Sequence, residues 1–329
     1  VSGVELLANL GWLALGLVLL SFGADWLVRG SCEIALRAGI TPLVIGLTVV
    51  AFGTSAPELL VSLQANLKPD TEADIAVGNV VGSNICNIAL LLGFAALLRP
   101  LVVGSQVVRR EIPILLGVTA VFVAMIWDGH LARWEGAILA VGIVAYVVSS
   151  IRLARRDPDD PGIELPEEVA GDSAGKPWKS VVWVLAGLAG LVVGADRLVV
   201  GGVAVAEMMG VPELVIGLTL VALGTSLPEL ATTVAAARRR ETDIIAGNII
   251  GSNLFNIMAV MGIASSVKPI TVANLNHVDV LVMSGFTVAL VPLILRGRRI
   301  NRIEGGLLLV GYFTYCIYLV KPEWLGISG

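Results

Sequence analysis

The sequence predicts an all-α polytopic membrane protein whose ten transmembrane helices form two inverted five-helix repeats. Three observations lead there. Hydrophobic residues make up 56% of the 329 and charged residues only 15%, at a mean hydropathy of +0.89, whereas soluble domains carry about 25% charged residues. The apolar residues gather in runs long enough to cross an about 30 Å hydrocarbon layer, which takes about 20 helical residues. The chain is also written twice, as detailed below. A soluble multidomain enzyme is excluded.

Apolar runs fall at Val4–Trp26, Thr41–Ala65, Ile75–Leu98, Ile112–Trp127, Trp134–Ile151, Val181–Val200, Val211–Ala237, Ile244–Val267, Val278–Leu295 and Ile303–Val320. All read as helices, because lipid offers no partner for free backbone groups and the runs are too long and unalternating for barrel strands. With Val1 outside, the inner loops hold 17 of the 22 Lys and Arg, and only Lys68, Arg133, Arg197, Lys268 and Lys321 fall outside. That asymmetry obeys the positive-inside rule and would be scrambled by one span too many or too few. Both termini are therefore expected outside. No cationic stretch precedes the first apolar run, so no cleavable signal is expected.

The organisation is residues 1–151, a first repeat, then a cytoplasmic linker over 152–179, then residues 180–329, the second repeat. In the linker, Asp157, Asp159, Gly162 and Glu168 match positions of a calcium-loop template, but Pro158 and Pro161 interrupt it. Cys32, Cys86 and Cys316 are scattered and odd in number, which fits buried free thiols rather than a disulfide framework or metal cluster. His130 and His277 are expected at the interfaces. A net charge of −4 with no basic face gives no sign of nucleic acid as a partner.

The repeat is specific. Val44–Leu59 (VIGLTVVAFGTSAPEL) returns as Val215–Leu230 (VIGLTLVALGTSLPEL), with 13 of 16 positions identical. Gly78–Ile88 (GNVVGSNICNI) returns as Gly247–Ile257 (GNIIGSNLFNI), and Gly23-Ala24-Asp25 as Gly194-Ala195-Asp196. Five spans per copy is odd, so the second copy enters the membrane inverted. Secondary transporters are built this way, with a midplane site between repeats opened alternately to each side. A channel can share the architecture.

Glu58 and Glu229 lie inside apolar spans, where an ionisable group costs about 2.5–3.5 kcal/mol on insertion scales and marks a polar path or a partner. Two converging carboxylates repel unless each takes a proton or a cation sits between them. Thr54 and Ser55, and Thr225 and Ser226, precede each glutamate by four and three residues and share its helix face. Pro57 and Pro228 lack an N–H and clash with the carbonyl four residues back, breaking the helix where oxygen ligands are useful; a plain kink is the alternative. Ser83 with Asn87, and Ser252 with Asn256, add hydroxyl and amide oxygens. Carboxylate, hydroxyl, carbonyl and amide oxygens suit Ca²⁺, Na⁺ or Mg²⁺, and a flexible mixture favours Ca²⁺. The glycines Gly78, Gly82, Gly247 and Gly251 fit helix packing as well as a ligand role. Asn79, Asn84, Asn248 and Asn253 fit ligation or interhelical bonding. Asp25 can pair with Arg29 at helical spacing. Neither a HExxH pair nor a nucleophile with its base is present, so the protein reads as no enzyme.

These paired motifs resemble the two α-repeats of the cation/calcium antiporter superfamily, specifically its prokaryotic sodium/calcium exchanger branch. The resemblance covers both halves. It implies Na⁺/Ca²⁺ antiport by alternating access in a prokaryotic plasma membrane, with Ca²⁺ and Na⁺ as transported ions, no cofactor, and a monomer sufficient. It implies that Glu58 and Glu229 hold calcium and also serve sodium. Thr54 and Thr225 would help bind both, Ser55, Ser226, Ser83 and Ser252 would line sodium positions, and Ala51 and Ala222 would offer main-chain oxygens. Asn87 and Asn256 would complete the polar middle. Some relatives, including potassium-dependent exchangers, carry Asp where this chain has Asn256, which argues against potassium co-transport. The rival readings are a Ca²⁺/H⁺ antiporter using the same two glutamates and a cation channel.

Overall fold

The computed structural model describes residues 3–67, 74–154, 177–208, 222–272 and 277–320. Its helices are α1 (Gly3–Ala38), α2 (Pro42–Thr54), α3 (Ala56–Leu67), α4 (residues 74–98), α5 (Ile112–Ile126), α6 (Arg133–Ala154), α7 (Pro177–Met208), α8 (Ala222–Thr225), α9 (Leu227–Arg238), α10 (Thr242–Val267), α11 (His277–Leu295) and α12 (Arg302–Val320). Helix thus occupies all ten predicted stretches, the seventh being described from Ala222 onward. Among the described residues, six helices are long and apolar enough to cross a bilayer by themselves, and the bent pair α2–α3 makes a seventh. The calcium-loop positions Asp157, Asp159, Gly162 and Glu168 lie outside the described residues.

The chain forms two compact units, each drawing on both halves of the sequence: Val1–Val61 with Gly142–Phe255, and Ser62–Val141 with Asn256–Gly329. In the first, α1 and α7 run antiparallel at backbone contact. Glycine permits this: a Cβ on Gly23 would stand 2.9 Å from the Gly187 carbonyl oxygen, and one on Gly187 only 2.6 Å from the Leu27 nitrogen. Gly16 meets Gly194 in the same way. Small residues let membrane helices approach this closely, where dispersion replaces the hydrophobic effect that lipid does not supply. Polar clasps close the pair. Ser180 Oγ donates to Glu33 Oε2 at 2.6 Å, and Arg29 Nε donates to Glu33 Oε1 at 3.1 Å. Asp25, which spacing suggests for Arg29, instead accepts from Arg239 Nε at 3.1 Å, because the end of α9 reaches α1 there. Helix α10 rests on α2 through Gly247 and Gly251, whose added Cβ atoms would meet the Leu43 oxygen at 2.6 Å and the Ala51 Cβ at 2.7 Å. For these two glycines packing is the role.

In the second unit two minimal sheets tie the halves of the sequence reciprocally. Strand β1 (Leu101–Val102) pairs antiparallel with β4 (Arg299–Ile300), and β2 (His130–Leu131) with β3 (Ile270–Thr271). Glycine contacts are reciprocal too: Gly93 packs on Gly305 and Gly136 on Gly262. Asn66 Nδ2 donates to the Ala264 and Lys268 carbonyls at 2.9 and 2.8 Å, and Lys268 Nζ returns a bond to the Asn66 carbonyl at 2.8 Å. His277 sits edge-on to Trp127, ring centroids 4.8 Å apart. Among the described residues the three cysteines form no disulfide, and Cys32 and Cys86 are buried.

Candidate ion-binding site

The repeated Thr-Ser-x-Pro-Glu motif builds the same local structure twice. Helix α2 stops at Thr54 and α3 starts at Ala56, bent by 43°; α8 stops at Thr225 and α9 starts at Leu227. The hinge residues Ser55 and Ser226 have nearly equal conformations, φ −83° with ψ 5° and φ −89° with ψ 4°. Pro57 and Pro228 supply the cause. Each occupies the first turn of the new helix, where a missing N–H is harmless, while the carbonyls of Gly53 and Gly224 lose the donor an unbroken helix would give them. A Cβ on Gly53 would run into the Leu188 side chain, and one on Gly224 into that of Val199, so a larger residue at either break requires its neighbour to move aside.

Both glutamates sit in the first turn of their new helices, each with only 1% of its surface exposed. They belong to the same compact unit and lie close enough to feel one another's charge. Ser55 Oγ is 3.4 Å from Glu229 Oε1. Thr54 Oγ1 lies 3.1 Å from the Val50 carbonyl and 3.3 Å from Asn248 Oδ1. A hydroxyl has one hydrogen. Turning the Asn248 amide over lets Nδ2 donate to Thr54 Oγ1, frees Oδ1, and leaves the Thr54 hydrogen for Val50. Asn248, whose role the sequence left open between ligation and interhelical bonding, is thereby placed beside the motif.

In the same compact unit several polar atoms are buried without a hydrogen-bond partner, Glu229 Oε2, Thr225 Oγ1, Ser226 Oγ and Ser252 Oγ, and the turned Asn248 amide leaves its oxygen free as well. Buried polar groups are rarely left so, and a cluster of them asks for an ion or water. These are hard oxygen donors in the main, suited to Na⁺ or Ca²⁺. Among the described residues no group of three or more His, Cys, Asp or Glu converges to hold a metal. Ala51 is buried at the start of the turn leading to Thr54, and Ala222, the first described residue of α8, holds the equivalent place in the repeat.

The other predicted residues lie in the second compact unit. Ser83, Asn87 and Asn256 are buried there. Asn87 and Asn256 each occupy the second position of a π-helical stretch, Cys86–Leu92 and Phe255–Met261. Such widened turns concentrate at functional sites. Asn256 Nδ2 donates to Asn84 Oδ1 at 3.4 Å. Asn256 Oδ1 and both polar atoms of the Asn87 amide lack partners. The π-helical stretches have no periodicity signal in the sequence.

The sequence profile of the family described as sodium/calcium exchanger protein matches residues 8–152 and 179–321. The chain belongs to that family. Among its family relatives, the putative antiporter CaxA of Alkalimonas amylolytica is 41% identical over 304 residues, covering 91% of this chain and 95% of its own. The sodium/calcium exchanger MaX1 of Methanosarcina acetivorans is 32% identical, over 93% of this chain and 97% of its own. Solved structures of the sodium-calcium exchanger NCX_Mj superpose with a TM-score of 0.81 at 32% identity. One, soaked with Na⁺ and Sr²⁺, covers 96% of this chain and 98% of its own; another, soaked with zero Na⁺ and Ca²⁺, covers 95% and 99%. Membership places this chain among integral-membrane exchangers rather than enzymes.

Proposed function

We propose that this exchanger-family chain moves Ca²⁺ against Na⁺, one load at a time, at a site centred on Glu58 and Glu229. The observation that carries the reading is the pair of buried carboxylates in one compact unit, with Ser55 of the Glu58 motif reaching Glu229 and buried hydroxyl oxygens without partners in the same unit. The family relation supports it, since MaX1 is named a sodium/calcium exchanger and NCX_Mj was soaked with Na⁺ and Sr²⁺. Glu58, Glu229, Thr54 and Thr225 bind calcium. The same four, with Ser55, Ser226, Ser83, Ser252 and the carbonyls of Ala51 and Ala222, bind sodium. Asn87 and Asn256 supply neutral oxygens, and Pro57 and Pro228 free the carbonyls behind them.

The mechanism follows from charge. Two carboxylates balance one Ca²⁺ or two protons, whereas three Na⁺, the load that the resemblance implies, would leave one positive charge and make exchange electrogenic. Shared ligands keep the two loads from binding together. An empty site with two bare carboxylates is too costly to carry through an occluded state, so exchange outruns leak. In this reading residues 1–151 and 180–329 are the inverted repeats, both termini are outside, and α1 with α7 is the moving pair. Their glycine-mediated contact supports motion as one body.

The test is purified protein in sealed vesicles, with ⁴⁵Ca uptake driven by an outward sodium gradient at clamped pH and constant potassium. Saturable uptake that follows the sodium gradient is expected. Uptake that follows only a proton gradient means a Ca²⁺/H⁺ antiporter, and unitary currents mean a channel.

A further inference from the structure

A cavity of about 860 Å³ opens within the first compact unit, bounded by α1, α7 and α9. Its walls are mostly apolar, with Leu17, Leu20, Leu198, Leu227, Leu230 and Val234. Its end is basic, with Arg238, Arg239 and Arg240 in succession at the close of α9. Arg239 is engaged by Asp25 at 3.1 Å. Arg238 and Arg240 are exposed and form no ion pair among the described residues. Arg240 adopts φ +65°, in the left-handed region where glycine or asparagine is the favoured residue after a helix; the chain carries a charge there instead.

The chemistry of this cavity does not suit the transported ions. Three arginines at one end repel cations, and against them the lining sets only the Ser21 hydroxyl and the Asp25 carboxylate, itself paired with Arg239. It does suit an amphiphile with an anionic head. Leu227 and Arg238 are 11 residues apart on one helix, roughly 16 Å at about 1.5 Å per residue, which is about one leaflet of a 30 Å hydrocarbon core. A tail lying along α9 from the arginines to Leu227 therefore spans the depth that one acyl chain occupies. Basic pockets between membrane helices are known to take lipid headgroups.

We propose that this groove is a binding site for an anionic phospholipid, its phosphate held by Arg238 and Arg240 and one acyl chain laid against Leu20, Leu198, Leu230 and Val234. The phosphate also meets Arg239, already half-neutralised by Asp25. The bound chain ends beside Leu227 and Leu230, the residues flanking Glu229 by two and one positions, so the lipid buttresses the helix that carries one of the two site glutamates.

The test uses the full-length protein in detergent, titrated with palmitoyl-oleoyl phosphatidylglycerol or phosphatidylcholine and read by native mass spectrometry. Each basic residue near a membrane surface favours anionic lipid about fivefold. Wild-type protein is expected to retain phosphatidylglycerol over phosphatidylcholine by about tenfold or more, and Arg238→Gln/Arg240→Gln to bring that ratio near one. Arg296→Gln/Arg299→Gln, in another basic segment, should leave the ratio unchanged. Val234→Phe keeps the arginines and fills the groove, and should also lower retention. Excess glycerol phosphate should not displace the lipid. Equal retention of the two lipids by wild type, an unchanged ratio in Arg238→Gln/Arg240→Gln, an equal fall in Arg296→Gln/Arg299→Gln, undiminished binding by Val234→Phe, or displacement by glycerol phosphate would each overturn the proposal.

Discussion

The hydroxyl of Ser55 stands 3.4 Å from the Oε1 atom of Glu229, so the serine of one copy of the repeated motif addresses the carboxylate of the other. A hydrogen bond to a charged group contributes about 1.5–3 kcal/mol, and this long one belongs at the low end. When a cation arrives, the same oxygen can turn a lone pair toward it. Ser55→Ala should raise the sodium concentration for half-maximal exchange about tenfold, while shifting that for calcium less than about threefold. Flux measured against varied sodium and calcium checks the split, and equal shifts for both ions would contradict the sodium assignment.

Asn256 is buried with its Oδ1 lacking a hydrogen-bond partner. An amide does not titrate, whereas a carboxylate there offers protons a place to compete with the cation. Asn256→Asp is expected to steepen the pH dependence of exchange. The ratio of rates at about pH 8 and about pH 6 should increase at least threefold over the parent in proteoliposomes. An unchanged ratio would mean that the position does not share the ions' electrostatics.

The contact between α1 and α7 tolerates nothing larger than glycine at its centre. Gly187→Val places atoms where the Leu27 nitrogen stands 2.6 Å from the new Cβ. Overpacking of this kind costs about 1–3 kcal/mol and should lower the melting temperature by several degrees. Gly11 lies on the facing helix, α1, with nothing within 4 Å of an added Cβ. Gly11→Ala should be neutral or stabilising by up to about 1 kcal/mol, since alanine favours helix. Thermal melts of the two variants side by side separate a packed contact from a general sensitivity of the helix pair to glycine replacement.

Glu241 lies in the turn before α10, outside the spans, with 5% of its surface exposed. Burial, above all, pushes its carboxyl upward; the Asp243 charge adds to this, and the Cys32 thiol and Arg239 oppose it. A carboxyl raised above its unfolded value favours the folded state most while protonated, and that contribution fades as pH climbs through the folded value. Glu241→Gln should therefore melt less steeply with rising pH than wild type between about pH 5 and about pH 8, with the gain greatest at the alkaline end. Parallel curves would place the titration elsewhere.

Much of this molecule is legible in its residues. Long apolar runs, an asymmetric spread of arginine and a 16-residue motif written twice give the helices and locate Glu58 and Glu229. Proline four residues after Gly53 and Gly224 gives the helix breaks, because an absent N–H acts locally and needs no knowledge of neighbours. Other features depend on contacts that no local pattern encodes. The π-helical turns at Asn87 and Asn256 have the composition of the α-helix around them. Two-residue strands such as Leu101–Val102 are too short to alternate, and their partners lie far along the chain. Spacing pointed Asp25 at Arg29, but the tertiary fold delivers Arg239. For Gly247 and Gly251 packing and ligation look alike in sequence, and only the approach of α2 decides between them.

The central claim is that two buried carboxylates together hold the cation, and equilibrium binding tests it without the complications of transport. Purified wild-type protein, titrated with calcium in a calorimeter, should bind one equivalent that sodium displaces competitively. Glu58→Gln and Glu229→Gln, shown by thermal melts to be folded, should each weaken that binding at least about a hundredfold, since removing one of two desolvated charges from a divalent ion costs about 3 kcal/mol or more. Calcium bound by either folded variant as tightly as by wild type would contradict the account.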